Sequence, residues 1–235
     1  MRMRHALRGV GLSLAGLALL PVVVGLGRAF VRLVAGLGPV TGDQAWFLYG
    51  LAGYVMLQAV GFKPMRTYVL GHELTHAVAT LAFGGRVRRM RVGEASGHVD
   101  VTKTNLVVTL APYVVPLYAV LAILLYMAAR PWTAWPYLHG TFLAVLGAAL
   151  GFHLMLTWHS LTVRQPDLAV YGLVFSLIVI ALGNLLVAAL LLKLVFPAGV
   201  SLRMFFFDGA RASGAGYLWI WEAFSTMIAA KGGGS

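Results

Sequence analysis

Residues 67–83 read TYVLGHELTHAVATLAF. The run is apolar enough for a membrane-embedded helix, yet it carries His72, Glu73 and His76 in its middle. Ionisable groups at membrane depth are costly, and where they persist they mark a functional site. Each residue of an α-helix turns the chain by about 100°, so His72 and His76 project about 40° apart on one face. Two imidazoles at that spacing can hold one Zn²⁺, and a glutamate beside them can take a proton from water at the metal. Leu74, Thr75, Ala77 and Val78 add no competing charge, and Gly71 removes a side chain next to the pair. A chance HExxH would have to account for three ionisable residues within five positions of a chain that otherwise nearly excludes them. A metal site is the better reading.

The rest of the composition agrees with a membrane setting. Of 235 residues, 60% are hydrophobic and 11% charged, and the mean hydropathy is +0.85. A soluble domain is closer to half apolar and a quarter charged. The expectation is an all-α polytopic protein, a single membrane domain over 1–235, integral to a prokaryotic cell membrane and in contact with the lipid bilayer. Cysteine is absent, which excludes disulfides and thiolate ligands. The net charge of +11 comes from basic residues between apolar runs. That placement anchors loops to anionic headgroups. It lacks the aromatic-interleaved basic patch of a nucleic-acid binder, so nucleic acid is excluded as a partner. Oligomeric state leaves no signal.

A helix needs about 20 apolar residues to cross a bilayer. Six segments are expected to do so: Leu7–Gly27, Ala45–Gly61, Thr67–Phe83, Leu106–Ala129, Trp135–Leu161 and Leu168–Phe196. The second and third are short. The first follows Arg2, Arg4 and Arg8, but Leu26 between Gly25 and Gly27 is a poor cleavage site, so it reads as a retained helix. Between the third and fourth, Met90 and Val92 alternate with charged residues, and Val99 and Val101 alternate with His98, Asp100 and Thr102. With turn residues over Gly93–Gly97, this predicts a β-hairpin of Arg86–Val92 and Gly97–Thr102. Arg86, Arg88, Arg89, Arg91 and Lys103 place it on the cytoplasmic side, although alternating backward from there leaves Arg2, Arg4 and Arg8 outside. After Pro197, residues 197–230 read as an interfacial tail. Its YLWIWEAFSTMIAA (217–230) suits a short helix at the membrane surface, and residues 231–235 read as a linker or tag remnant.

A catalytic zinc has three protein ligands and an open fourth position. His139, His153, His159, Asp167 and Asp208 are the candidates for the third. In HSLTVRQPDLAVYG (159–172), Pro166 begins or breaks a helix and leaves Asp167 in its first turn, beside irregular backbone. Such backbone is tolerated at membrane depth only where it is buried in protein or lines a cavity. A plainer role for Asp167 is a helix N-terminal charge favoured by the dipole. His153 and His159 lie six apart on different helix faces and suit interhelical hydrogen bonds.

These residues resemble the site-2 protease family of intramembrane zinc metalloproteases. That family embeds an HExxH helix in the bilayer and follows it with a hairpin-bearing segment. An aspartate of an L-D-G-type motif, two spans later, completes the zinc site. His72, Glu73 and His76 match the first motif residue by residue. GGRVRRMRVGEASGHV (84–99) looks like the hairpin segment, and LAPYVVP (110–116) opens the next span. QPDLAVYG (165–172) puts Asp167 where the family's aspartate belongs. Its spelling departs from L-D-G. Asp208-Gly209 in FFFDGAR (205–211) spells the motif more closely but comes one span too late. Order along the chain selects Asp167, and the resemblance covers about residues 67–184.

The resemblance implies a zinc-dependent endopeptidase that cuts a membrane-protein or peptide substrate within or near a transmembrane segment. Zn²⁺ would be held by His72, His76 and Asp167, with Glu73 activating water and later protonating the leaving amine. The hairpin would accept the unwound substrate by strand addition, its plainer role being a cytoplasmic anchor. Two other classes compete. One is a non-proteolytic zinc binder, a pseudoprotease or chaperone-like protein, which has no need of Glu73. The other is a metal or proton transporter, which calls for polar residues on several facing spans and often internal repeats.

Overall fold

Proline and glycine cut the apolar runs into helices whose ends fall beside the HExxH segment. The computed structural model describes residues 2–40, 42–94, 96–163 and 165–232, with only the backbone for 2–8 and 230–232. The elements are α1 (Arg2–Ala35), α2 (Asp43–Ala59), α3 (Met65–Ala82), β1 (Val87–Val92), β2 (Gly97–Val101), α4 (Leu106–Leu110), α5 (Leu117–Ala129), α6 (Leu138–Leu161), α7 (Pro166–Tyr171), α8 (Leu173–Val195) and α9 (Leu202–Gly232). Short 3₁₀ turns follow α4 and α5. Residues 233–235 of the expected linker lie outside the described residues, and 231–232 end α9.

Contacts gather into two compact units, residues 39–171 and residues 1–38 with 172–235. In the first, α2 lies against α6 where both lack side chains: a Cβ on Gly50 would strike the Ala144 carbonyl, and one on Gly147 the Phe47 carbonyl. Backbones meet closely through such small residues when neither helix gains from excluding water. Tyr126 of α5 stacks on Phe142 of α6 at 4.1 Å. Tyr68 and Val69 of α3 bury with Leu156 of α6, flanked by Met65, Val92 and Phe152. In the second unit α1 and α9 run antiparallel. Tyr217 donates to the Ala18 carbonyl at 2.6 Å near one end, and Arg32 faces Asp208 at 4.0 Å near the other. Ala29, Ala189 and Phe205 bury together between α1, α8 and α9.

The hairpin forms as the alternation predicts. β1 and β2 pair antiparallel, with Met90 opposite Val99 and Val92 opposite Gly97, and an irregularity between Val87 and Arg89. The spans differ from expectation. Among the described residues three helices are long and apolar enough to cross a membrane: Gly9–Ala35, Leu138–Leu161 and Leu173–Val195. A fourth is added only if Leu106–Tyr113 and Leu117–Trp132 count together, and these bend by 81°. Pro112 and Pro116 cause that break, since each lacks an amide hydrogen and disfavours helix in the residue before it. The expected second and third spans do not qualify. α2 has 17 residues, and α3 loses apolarity to Arg66, His72, Glu73 and His76. The expected Leu168–Phe196 helix stops and restarts at Gly172, whose φ of 83° is a conformation side-chain-bearing residues avoid. The tail forms one continuous helix of 31 residues, Leu202–Gly232, longer than the short helix expected over 217–230.

Candidate metal centre

α3 carries His72 and His76 one turn apart, and both Nε2 atoms face the same oxygen. Oδ2 of Asp167 lies 3.4 Å from His72 and 3.3 Å from His76. Asp167 reaches them from the first turn of α7, which starts at Pro166. A four-coordinate ion held at ordinary Zn–N and Zn–O lengths has ligand atoms about 3.3 Å apart. The spacing fits such an ion without being specific to zinc.

The donor set makes the stronger case. The Val108 carbonyl can only accept a hydrogen bond, so at 2.8 Å it fixes the proton of His76 on Nδ1. In a neutral imidazole this turns the Nε2 lone pair toward the Asp167 carboxylate, acceptor against acceptor. Something positive has to sit between them, either a second proton on the ring or a metal ion. Burial works against a charge on Asp167, but the two imidazoles beside it outweigh burial and hold the carboxyl well below the usual carboxylate range. Asp167 therefore stays an anion at neutral pH.

A supporting layer comes from the broken segment. Asn105 caps α4 by accepting from the Val108 amide at 2.9 Å, which sets the carbonyl that orients His76. Tyr113, fully buried in the 3₁₀ turn after α4, donates to Asp167 Oδ2 at 3.1 Å and meets the edge of His72 at 5.2 Å. Tyr68 flanks His72 on another side and accepts from Ser160 at 2.6 Å. Such partners orient ligands, and their loss typically costs 10–100-fold in metal affinity. Tyr113→Phe is thus expected to weaken zinc binding by about 10–100-fold with little change in melting temperature. Competition against a zinc chelator of known affinity measures this, and wild-type affinity in the variant would remove Tyr113 from the site.

Glu73 stands on the same helix, 7% exposed. The first residue of β2 presses on it: a Cβ added to Gly97 would lie 2.7 Å from Glu73 Cγ and 2.6 Å from Val69 Cγ1. Glycine is required there by the close approach. A cavity of about 300 Å³ holds His72, Glu73, His76 and Asp167 in its wall, which also includes Gly97 and His98 of β2.

Among the described residues none of the other candidates for third ligand joins this cluster, although His159 lines a cavity with His72 and Glu73 and His153 lines a pocket with His72. His139 contacts Tyr126 at 3.0 Å and Asp43 at 3.6 Å, His153 is buried in α6, and His159 is near the end of that helix. Asp208 belongs to the other unit and faces Arg32. Among the described residues, His72, His76 and Asp167 form the one group close enough to hold a metal, their ligand atoms within 4.8 Å of one another. Tyr113, the Val108 carbonyl and Gly97 escape the sequence reading. The signal for the first two is the pair of prolines around Tyr113 in LAPYVVP, which marks a break rather than the opening of a span. No protein-family model, curated protein or solved structure matches the chain.

Proposed function

We propose that the protein is an intramembrane zinc metalloprotease, an endopeptidase that hydrolyses a peptide bond in or near a transmembrane segment of another protein. The convergence of His72, His76 and Asp167 beside the buried Glu73 carries this reading. Metal binding alone has no use for a carboxylate held out of the ligand set and facing the same cavity. Zinc, when bound by the two histidines and Asp167, supplies Lewis acidity to water and to the scissile carbonyl. Glu73 accepts a proton as the water oxygen bonds to the carbonyl carbon. It returns that proton to the nitrogen as the C–N bond breaks, so the proton balance closes on one residue. His76, held by the Val108 carbonyl, and Asp167, held by Tyr113, keep their positions throughout.

A substrate helix hides its backbone in internal hydrogen bonds and has to be extended before it is cut. β2 pairs with β1 along one edge, and Gly97, His98, Val99 and Val101 line the site cavity. The other edge of β2 can take an extended peptide by strand addition. In this reading α2 and α3 are also embedded, giving six membrane segments in a multi-pass protein of a prokaryotic membrane. Support comes from their packing: α2 lies on α6, a candidate span, and α3 buries against Leu156 of α6.

The test is cleavage of transmembrane substrates by purified protein in bilayers. Activity is expected to vanish on chelation and return with added zinc. Cleavage that survives complete metal removal overturns the proposal.

A further inference from the structure

Two cavities meet at Glu73. One of about 480 Å³ runs toward the start of α3, with Met65, Tyr68, Val69 and Val163 in its wall. The other, of about 300 Å³, runs past His76 toward His98, Thr104 and Thr109. Both include His72, Glu73, Gly97, Gln165 and Pro166, so they are two chambers of one groove along α3, joined at the proposed acid/base. From Met65 to His76 the helix advances about 16 Å. An extended chain advances about 3.3 Å per residue, so the groove takes about five residues, with Glu73 between its ends.

The chambers differ in size and in chemistry. In the wide wall Met65, Val69 and Val163 are apolar and the Tyr68 hydroxyl is engaged by Ser160, leaving the ring as surface, while Ser96, His159 and Gln165 stand beside them. An apolar side chain set against Met65, Val69, Val163 and the Tyr68 ring gains by leaving water. The narrow wall sets Thr104, Thr109 and His98 beside Val99, Val101 and Val108, and His98 is paired with Asp100 at 2.8 Å. Its neighbours Thr104 and Thr109 bond each other at 3.1 Å.

We propose that the wide chamber receives a bulky apolar side chain on one flank of the scissile bond, and the narrow chamber a small or polar side chain on the other. The substrate class is then a membrane segment cut where apolar sequence gives way to polar sequence. This rests on the proteolytic reading of the same site.

The experiment uses the zinc-loaded full chain in bilayers and a set of transmembrane peptides varied at the two residues flanking the cut. Wild type is expected to prefer Phe or Leu over Asp or Lys on one flank by at least about tenfold, the scale of hydrophobic-pocket discrimination. Met65→Trp, which fills the wide chamber, should shift that flank toward Ala and leave zinc content and the other flank unchanged. Val163→Trp approaches from another part of the wall and should do the same if Met65→Trp fails to fold. Equal preference in wild type and both variants, or a shift on both flanks, overturns the assignment. Binding of the same peptides to Glu73→Gln protein separates this inference from the reading beneath it. Selective binding without cleavage by wild type removes the protease and keeps the two-chamber groove, while unselective binding removes the groove assignment itself.

Discussion

Glu73→Gln protein is expected to hold as much zinc as wild type and to cleave about 10²–10⁴-fold more slowly, the range attributed to general acid–base catalysis. The two halves of this result come from separate features. Glutamine has nearly the shape of glutamate, so the contact with Gly97 of β2 and the burial of the side chain are preserved. The ligand set of His72, His76 and Asp167 does not include Glu73, so metal content should not follow the substitution. What glutamine cannot do is accept a proton from water at neutral pH. Metal analysis by mass spectrometry and single-turnover cleavage of a transmembrane substrate read the two halves independently. A variant that cleaves as fast as wild type removes Glu73 from the chemistry. A variant that loses zinc makes Glu73 a ligand or a support of one.

The part of the site that lies within one helix is legible in the sequence because helical periodicity is a local property. The four-residue step from His72 to His76 fixes their common face whatever surrounds them. The hairpin is legible for the same reason, alternation over β1 and β2 being a period-two signal. Asp167 could be selected only through the resemblance, since no local rule says which distant carboxylate reaches α3. Tyr113 and the Val108 carbonyl are harder still. Their positions depend on a break of 81° that a hydropathy window averages into one apolar run. The span count is only partly legible for a related reason. Apolarity and length identify α1, α6 and α8, but α2 is too short and α3 gives up apolarity to His72, Glu73 and His76, so the helix that carries the candidate site does not stand out as a span. Gly172 is silent in the sequence because glycine occurs throughout the chain, 28 times, and only the fold shows which of them have a positive φ.

Asp167→Ala is expected to lower zinc affinity by more than about 100-fold, beyond the range typical of supporting residues, while Asp208→Ala leaves it unchanged. The two aspartates are the carboxylates the sequence puts forward, and their surroundings differ in kind. Asp167 Oδ2 sits within 3.4 Å of both imidazoles and takes a further hydrogen bond from Tyr113. Removing it leaves two nitrogen ligands, too few for the three-ligand set of a catalytic zinc site. Asp208 faces Arg32 at 4.0 Å with both side chains partly exposed, an arrangement worth about 0–1 kcal/mol to stability. Its loss should pass unnoticed by the metal and nearly so by the fold. Each variant therefore controls for the other, because a general loosening of the protein would lower zinc binding in both. Unchanged zinc in Asp167→Ala together with loss in Asp208→Ala would move the third ligand to α9 and undo the groove built around α7. Loss confined to Asp167→Ala ties the metal to the residues that also line the groove, the condition for Glu73 to do hydrolytic work there.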